Sequence, residues 1–264
     1  MSPRRAAGVT ALVASCFCGT VSPVAVTLAA ETSASIRPSF SPDRLGASTA
    51  VTFAFRFSGG SGGSEGGGGE EGGGEEGVPP PLSGMVVRLP AGLGIDARGV
   101  GICAKARLQS KGPSGCPSSS LIGRGHALMS VHAGSLVVPE EATLWAFRGP
   151  DRGGRPTLEV FGQGETPLYQ SSVSTGVLEP DGSPYGSKLT ISIPPIPTLV
   201  LEPNASIVSA SLTIGRVAHA PRAHATTGAI LVPHSCPAGG FPFAASFTFA
   251  DGSTTRASAT VACP

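Results

Sequence analysis

The sequence predicts an all-β fold: a disulfide-bonded antiparallel β-sandwich, immunoglobulin-like or related. Three observations predict it. Apolar and polar residues alternate along several short segments, glycine and proline are abundant at 38 and 25 of 264 residues, and helical periodicity is nearly absent. Short strands joined by tight turns fit that mixture.

The first expected core strand is Val51 to Phe57, where Val51, Phe53, Phe55 and Phe57 share one face and Thr52, Ala54 and Arg56 the other. Further along, Met85 to Leu89, His126 to His132, Leu136 to Val138, Thr143 to Phe147 and Thr157 to Phe161 are shorter candidates. Leu189, Ile191 and Ile193 alternate with Thr190 and Ser192. Val208, Ala210, Leu212 and Ile214 alternate with Ser209, Ser211 and Thr213, so both segments read as half-buried strands. The carboxyl end is the best hairpin. Phe243, Ala245, Phe247 and Phe249 lead into Asp251-Gly252-Ser253, and the return strand places Ala257, Ala259, Val261 and Cys263 on one side. Small residues opposite the phenylalanines let the rings fit the layer.

Residues 1–30 read as an export signal. Arg4 and Arg5 give a basic start, an apolar run extends from Ala6 to Ala30, and Thr27, Ala29 and Ala30 suit a cleavage site. Pro23 and the small residues Gly19, Thr20 and Ser22 weaken the run as a permanent membrane helix. A second processing route is written in Val13-Ala14-Ser15-Cys16, a lipobox-like stretch in which Cys16 would carry lipid, although the residues after it stay apolar. The remainder, 31–264, is expected to be one domain interrupted by a glycine- and glutamate-rich insertion at 58–81. That tract cannot bury apolar surface. A domain boundary there would leave Phe53, Phe55 and Phe57 in a fragment too small for a core.

Beyond the signal, Cys103, Cys116, Cys236 and Cys263 form an even set in an exported chain, which favours bridges over thiols. Of the three connectivities the local one is simplest: Cys103 with Cys116 and Cys236 with Cys263.

Charge and motifs exclude several functions. With 18 Lys+Arg against 17 Asp+Glu, the chain lacks the field that nucleic acid or an anionic membrane requires, and neither is an expected partner. Outside the glycine-rich tract the serine-hydrolase pattern G-x-S-x-G does not occur. Glu140 and Glu141 are adjacent, so on a strand they face opposite ways and share no site. Metal binding would have to draw on His126 and His132, which have the same strand parity, or on His219, His224 and His234 near Cys236; no recognised spacing links them. Sugar stacking has only Trp145, Tyr169 and Tyr185 to use, and Trp145 is expected in sheet packing. Asn204-Ala205-Ser206 is a formal glycosylation triplet. No catalytic, cofactor-binding or metal-binding residue is assigned, and no cofactor is expected.

Two segments stand out together: LPAGLGIDARGVGICAKARLQSKGPSGCPSSSLIGRGHA from Leu89 to Ala127, and CPAGGFPFAASFTFADGSTTRASATVACP from Cys236 to Pro264. They resemble a group of secreted β-proteins from high-GC actinobacteria, in which a Cys…Cys-Pro element is followed by a closing Cys-Pro hairpin. No activity is assigned to that group. The resemblance implies export and disulfide pairing, carries over no catalytic or ligand residue, and makes the glycine-glutamate tract a departure from the pattern. The expectation is therefore a secreted or cell-envelope, non-enzymatic interaction or structural module with an extracellular protein or envelope component as partner. A secreted carbohydrate-active or other hydrolytic enzyme with a site built from distant residues, and a metal-binding envelope protein, are the alternatives.

Overall fold

A computed structural model describes residues 31–59, 77–133, 136–166, 169–215 and 229–264. The export signal, Cys16, most of the glycine-glutamate tract, His219 and His224 lie outside the described residues.

The antiparallel all-β expectation holds. The strands are β1 (Ser33–Ser41), β2 (Ser48–Ser58), β3 (Leu82–Pro90), β4 (Gly94–Asp96), β5 (Leu121–Ala133), β6 (Leu136–Arg152), β7 (Arg155–Gly164), β8 (Gln170–Pro180), β9 (Tyr185–Ser192), β10 (Ser206–Gly215), β11 (Ala229–Leu231), β12 (Phe241–Phe249) and β13 (Thr254–Val261). A short helix, α1 (Lys105–Lys111), lies between the first two disulfide cysteines. All thirteen strands belong to one continuous sheet in the order β13-β12-β3-β9-β8-β7-β6-β5-β10-β2-β11-β4, with β1 also paired to β2.

That sheet curls on itself as a half-barrel. Its two ends meet face to face: β1 and β2 pack against β3, β12 and β13 in a cluster that includes Phe40, Phe55, Phe57, Phe243, Phe247 and Phe249. Ring centroids lie 4.9 Å apart for Phe57 and Phe247 and 5.5 Å for Phe40 and Phe241, both edge to face, the geometry the ring quadrupole favours. The described strands form one curled sheet in place of the expected two stacked sheets. Away from the phenylalanine cluster the concave face of the single sheet encloses space.

The predicted alternation fixes which side is concave. Val51, Phe53, Phe55 and Phe57 on β2, Leu189 and Ile191 on β9, and Phe243 to Phe249 on β12 all turn inward. One register differs. A bulge between Ile207 and Ser209 shifts the pairing of β10 with β5, so Ile207 takes the inward place expected of Val208, while Ala210, Leu212 and Ile214 keep theirs. Leu136 to Val138 and Thr143 to Phe147 are parts of one strand, β6, because Pro139 sits within it without ending it.

The convex face has its own cover. Leu108 of α1 packs with Cys103, Phe147, Phe161 and Val173, and Trp145 joins this cluster with its ring centroid 5.9 Å from that of Phe161. Trp145 is thus used in sheet packing, as expected. At the border of the glycine-glutamate tract, β2 ends at Ser58 and β3 begins at Leu82. The tract's last residues are held to the sheet: Pro79 is buried and Pro81 O accepts from Ala250 N–H at 2.8 Å.

Candidate functional site

Many inward positions of the middle strands carry small side chains, beside larger ones such as Met129, Leu144, Leu158 and Val160. On β5 the small ones are Gly123, Gly125 and Ala127; on β6, Ala142; on β7, Gly162 and Gly164; on β8, Ser172, Ser174 and Gly176. Two consequences follow. Without a Cβ on Gly125, the neighbouring backbone closes in, since an added Cβ would lie 2.0 Å from Ser211 O and 2.9 Å from Leu212 Cα. The sheet bends there as no larger residue permits. The small residues also leave the concave space unfilled.

The result is a cavity of about 290 Å³, walled by Phe53, Met85, Leu144, Val160, Ile191 and Leu212 among others. Almost all of the wall is apolar. Aliphatic and aromatic walls around such a space favour apolar guests, and the volume lies just below the range of about 300–1,000 Å³ typical of small-molecule sites.

Polar groups collect at the two ends of this space. At one end Arg148, on β6, borders the cavity close to Leu158, its cross-strand partner. Arg148 Nη2 donates to Asp151 Oδ1 at 2.9 Å, while Arg148 Nε is buried and has no hydrogen-bond partner. Asp96 borders the same end, held in a fork by Arg98 Nε at 2.9 Å and Nη2 at 2.7 Å. These bonds, followed by that from the Arg98 backbone N–H, lower its pKa from 3.8 to about 2.

At the opposite end Glu140 is buried against Gly164, where an added Cβ would lie 2.5 Å from Glu140 Oε1. That oxygen accepts from Thr166 N–H at 2.5 Å. Glu141, next to it, is exposed, so the two carboxylates do face opposite ways. The connection from β9 to β10 crosses this end as well, because β10 starts at Ser206 opposite Ser130, close to the β5–β6 turn. Ile196, Pro197 and Thr198 of the connection line the cavity. Beyond them Leu199, Val200 and Leu201 project into solvent, with Leu201 fully exposed and at φ 71°. A leucine in the left-handed region and out of contact is doubly unfavourable.

The disulfides flank this framework. Cys103 joins Cys116 and Cys236 joins Cys263, with Cα separations of 5.5 and 6.0 Å, which is the expected local pairing. The first bridge bears on the cavity. Cys103 N–H donates to Arg148 O at 2.9 Å, so the bridged loop steadies the strand that carries Arg148.

The other sequence candidates do not converge. His126 and His234 are exposed and His132 half-buried, and among the described residues no group of three or more His, Cys, Asp or Glu is placed to hold a metal ion. Tyr169 is exposed, whereas Tyr185 lies under Arg88, 5.8 Å from ring centroid to guanidinium carbon. The second deeply buried carboxylate is Glu159, which accepts from Thr175 Oγ1 at 2.7 Å. It alternates with the cavity residues Leu158 and Val160 and so points to the convex face, away from Glu140. No helix among the described residues is long and apolar enough to cross a membrane.

Sequence reasoning did not single out Arg148 or the small inward residues. Their signal was period two in small side chains, Gly123-x-Gly125-x-Ala127 and Gly162-x-Gly164, which a search for large apolar residues passes over. No family model matches the chain, no curated protein is similar to it, and no solved structure matches it.

Proposed function

We propose that this is an exported, non-enzymatic binding protein for an apolar small molecule, held in the concave space of the half-barrel. The observation that carries the reading is the apolar cavity of about 290 Å³, into which Ala127, Ala142, Gly162, Gly164, Ser172 and Ser174 bring little side-chain volume. Packed interiors do not leave voids on this scale without cost. The exposed Leu199 to Leu201 tip, continuous with cavity-lining residues, supports the same reading by offering an apolar path at one end. Export agrees with the two disulfides, which persist in oxidising compartments. The hollow part of the curled sheet supplies the binding function.

The test is displacement of a neutral, polarity-sensitive dye from the purified oxidised protein by single-chain amphiphiles, with the protein also extracted into organic solvent and the extract examined by mass spectrometry. Saturable one-to-one binding that is weakened at least tenfold by Ser174→Leu together with Gly162→Val supports the proposal. Absence of saturable binding, or binding unchanged in the filled variant, rejects it.

A further inference from the structure

We infer that the ligand is a single-chain amphiphile with a carboxylate head, bound with that head at Arg148 and its chain running along the concave face towards Glu140. This deepens the apolar-ligand reading and rests on it. Three observations support it.

The first is the state of Arg148. Its side chain is 18% exposed, it borders the cavity, and its Nε–H is buried with no acceptor. A buried donor with no acceptor is destabilising, and a charged one more so. A carboxylate oxygen arriving from the cavity side would satisfy it through a charge-assisted bond. Asp151 already takes Nη2, but that carboxylate is 44% exposed and its charge is screened by water. Asp96, the other acid at this end, is saturated by Arg98.

The second is the polarity of the space. Glu140 stands at the far end and repels an anion there, whereas the Arg148 end offers an unpaired N–H donor, so one orientation of an anionic amphiphile is favoured. Arg148 and Glu140 are eight positions apart on β6, about 26 Å at roughly 3.3 Å per residue. The third is reach: the lining runs from Arg148 to Glu140 with apolar Leu144 and Val160 between them, a path that suits an extended chain.

The experiment compares dodecanoic acid with dodecanol as competitors for the same neutral dye, at neutral pH and below the concentration at which either aggregates. The acid is expected to bind about tenfold more tightly than the alcohol, the scale of one charge-assisted hydrogen bond. Arg148→Met is expected to remove this preference while leaving alcohol binding within about twofold, with a thermal melt to verify that the variant is folded. Asp151→Asn lies at the exposed end of β6 and provides a second reading: releasing Nη2 from its carboxylate should strengthen binding of the acid severalfold. Equal affinity for acid and alcohol in the wild-type protein, or a preference that survives Arg148→Met in the folded variant, overturns the assignment of the head group while leaving apolar binding intact. If neither compound displaces the dye, the apolar-ligand reading itself is rejected.

Discussion

Two regions of the same sheet treat their inward faces in opposite ways. Where β1 and β2 meet β3, β12 and β13, large aromatic residues fill the layer: Phe57, Phe241, Phe243, Phe247 and Phe249 are each at most 2% exposed. Across β5 to β8 glycine, alanine and serine alternate at inward positions with aliphatic residues such as Leu144 and Val160, and the space stays open. Backbone pairing is continuous through both. Strand alternation therefore decides which residues face inward, and side-chain volume decides whether the interior is core or cavity.

Truncation in the filled region should show the largest effect. Phe247→Ala removes a fully buried ring in contact with Phe55 and Phe57 and is expected to cost about 3–5 kcal/mol in denaturant unfolding. Phe53→Ala should cost clearly less, because the Phe53 ring borders open space on one side. Equal losses at the two positions would contradict the contrast between the regions.

The bridges come next. Replacing Cys236 and Cys263 by alanine opens a loop with a sequence separation of 27 residues beside the phenylalanine cluster, and a loss of about 3 kcal/mol is expected. The Cys103–Cys116 pair, with a separation of 13, should cost somewhat less in stability, since closure entropy grows slowly with loop length. Its removal should nonetheless weaken carboxylate binding more, because Cys103 N–H holds the backbone of Arg148. Chemical denaturation and the dye competition, run on both double variants, check the pair.

On the convex face, Thr175→Val withdraws the hydroxyl that donates to buried Glu159. A loss of about 1–3 kcal/mol is expected, the cost of leaving a buried acceptor without its donor. By contrast, Ser174→Leu, one residue away but pointing into the cavity, should change stability by less than about 1 kcal/mol, although enlargement in a packed core costs about 1–3. These neighbours on one strand separate the faces directly.

The smallest expected effect concerns pH. Asp96 is held near pKa 2 by its bonds to Arg98, so its folded value lies below the ordinary 3.8. Its contribution is complete above 3.8 and is lost as the pH falls towards 2. Carboxyl titration by NMR should place its midpoint near 2, and Arg98→Ala should return it to the ordinary carboxylate range.

Much of the inward surface was legible before the fold was known. Phe53, Phe55, Leu189, Ile191, Phe247 and Ala257 all lie on the face that alternation assigned them, because side-chain direction in a strand depends on parity alone. What escaped did so for physical reasons. β8, with Ser171, Ser172, Ser174 and Thr175, shows no apolar stripe. Its inward residues are the cavity wall, so the feature that hides the strand in the sequence is the one that makes the site. β1 carries Pro38 and exposed serines and contributes only Ile36 and Phe40 to the buried core. α1 is seven residues long with one buried side chain, Leu108, too short for a helical period to emerge. The bulge at Ile207 depends on pairing with β5 and leaves no local mark. Arg148 was unreadable for a different reason, since its surroundings come from Leu158, Asp96 and Ile122 on separate strands or loops.

The central claim is that one sheet encloses both a filled and a hollow region. Diffraction from crystals under xenon pressure tests it most directly, because xenon occupies dry apolar cavities. The account predicts xenon density between Leu144, Val160 and Ile191 and none among Phe57, Phe247 and Phe249. A collapsed space with those aliphatic side chains in mutual contact and no bound xenon would contradict it.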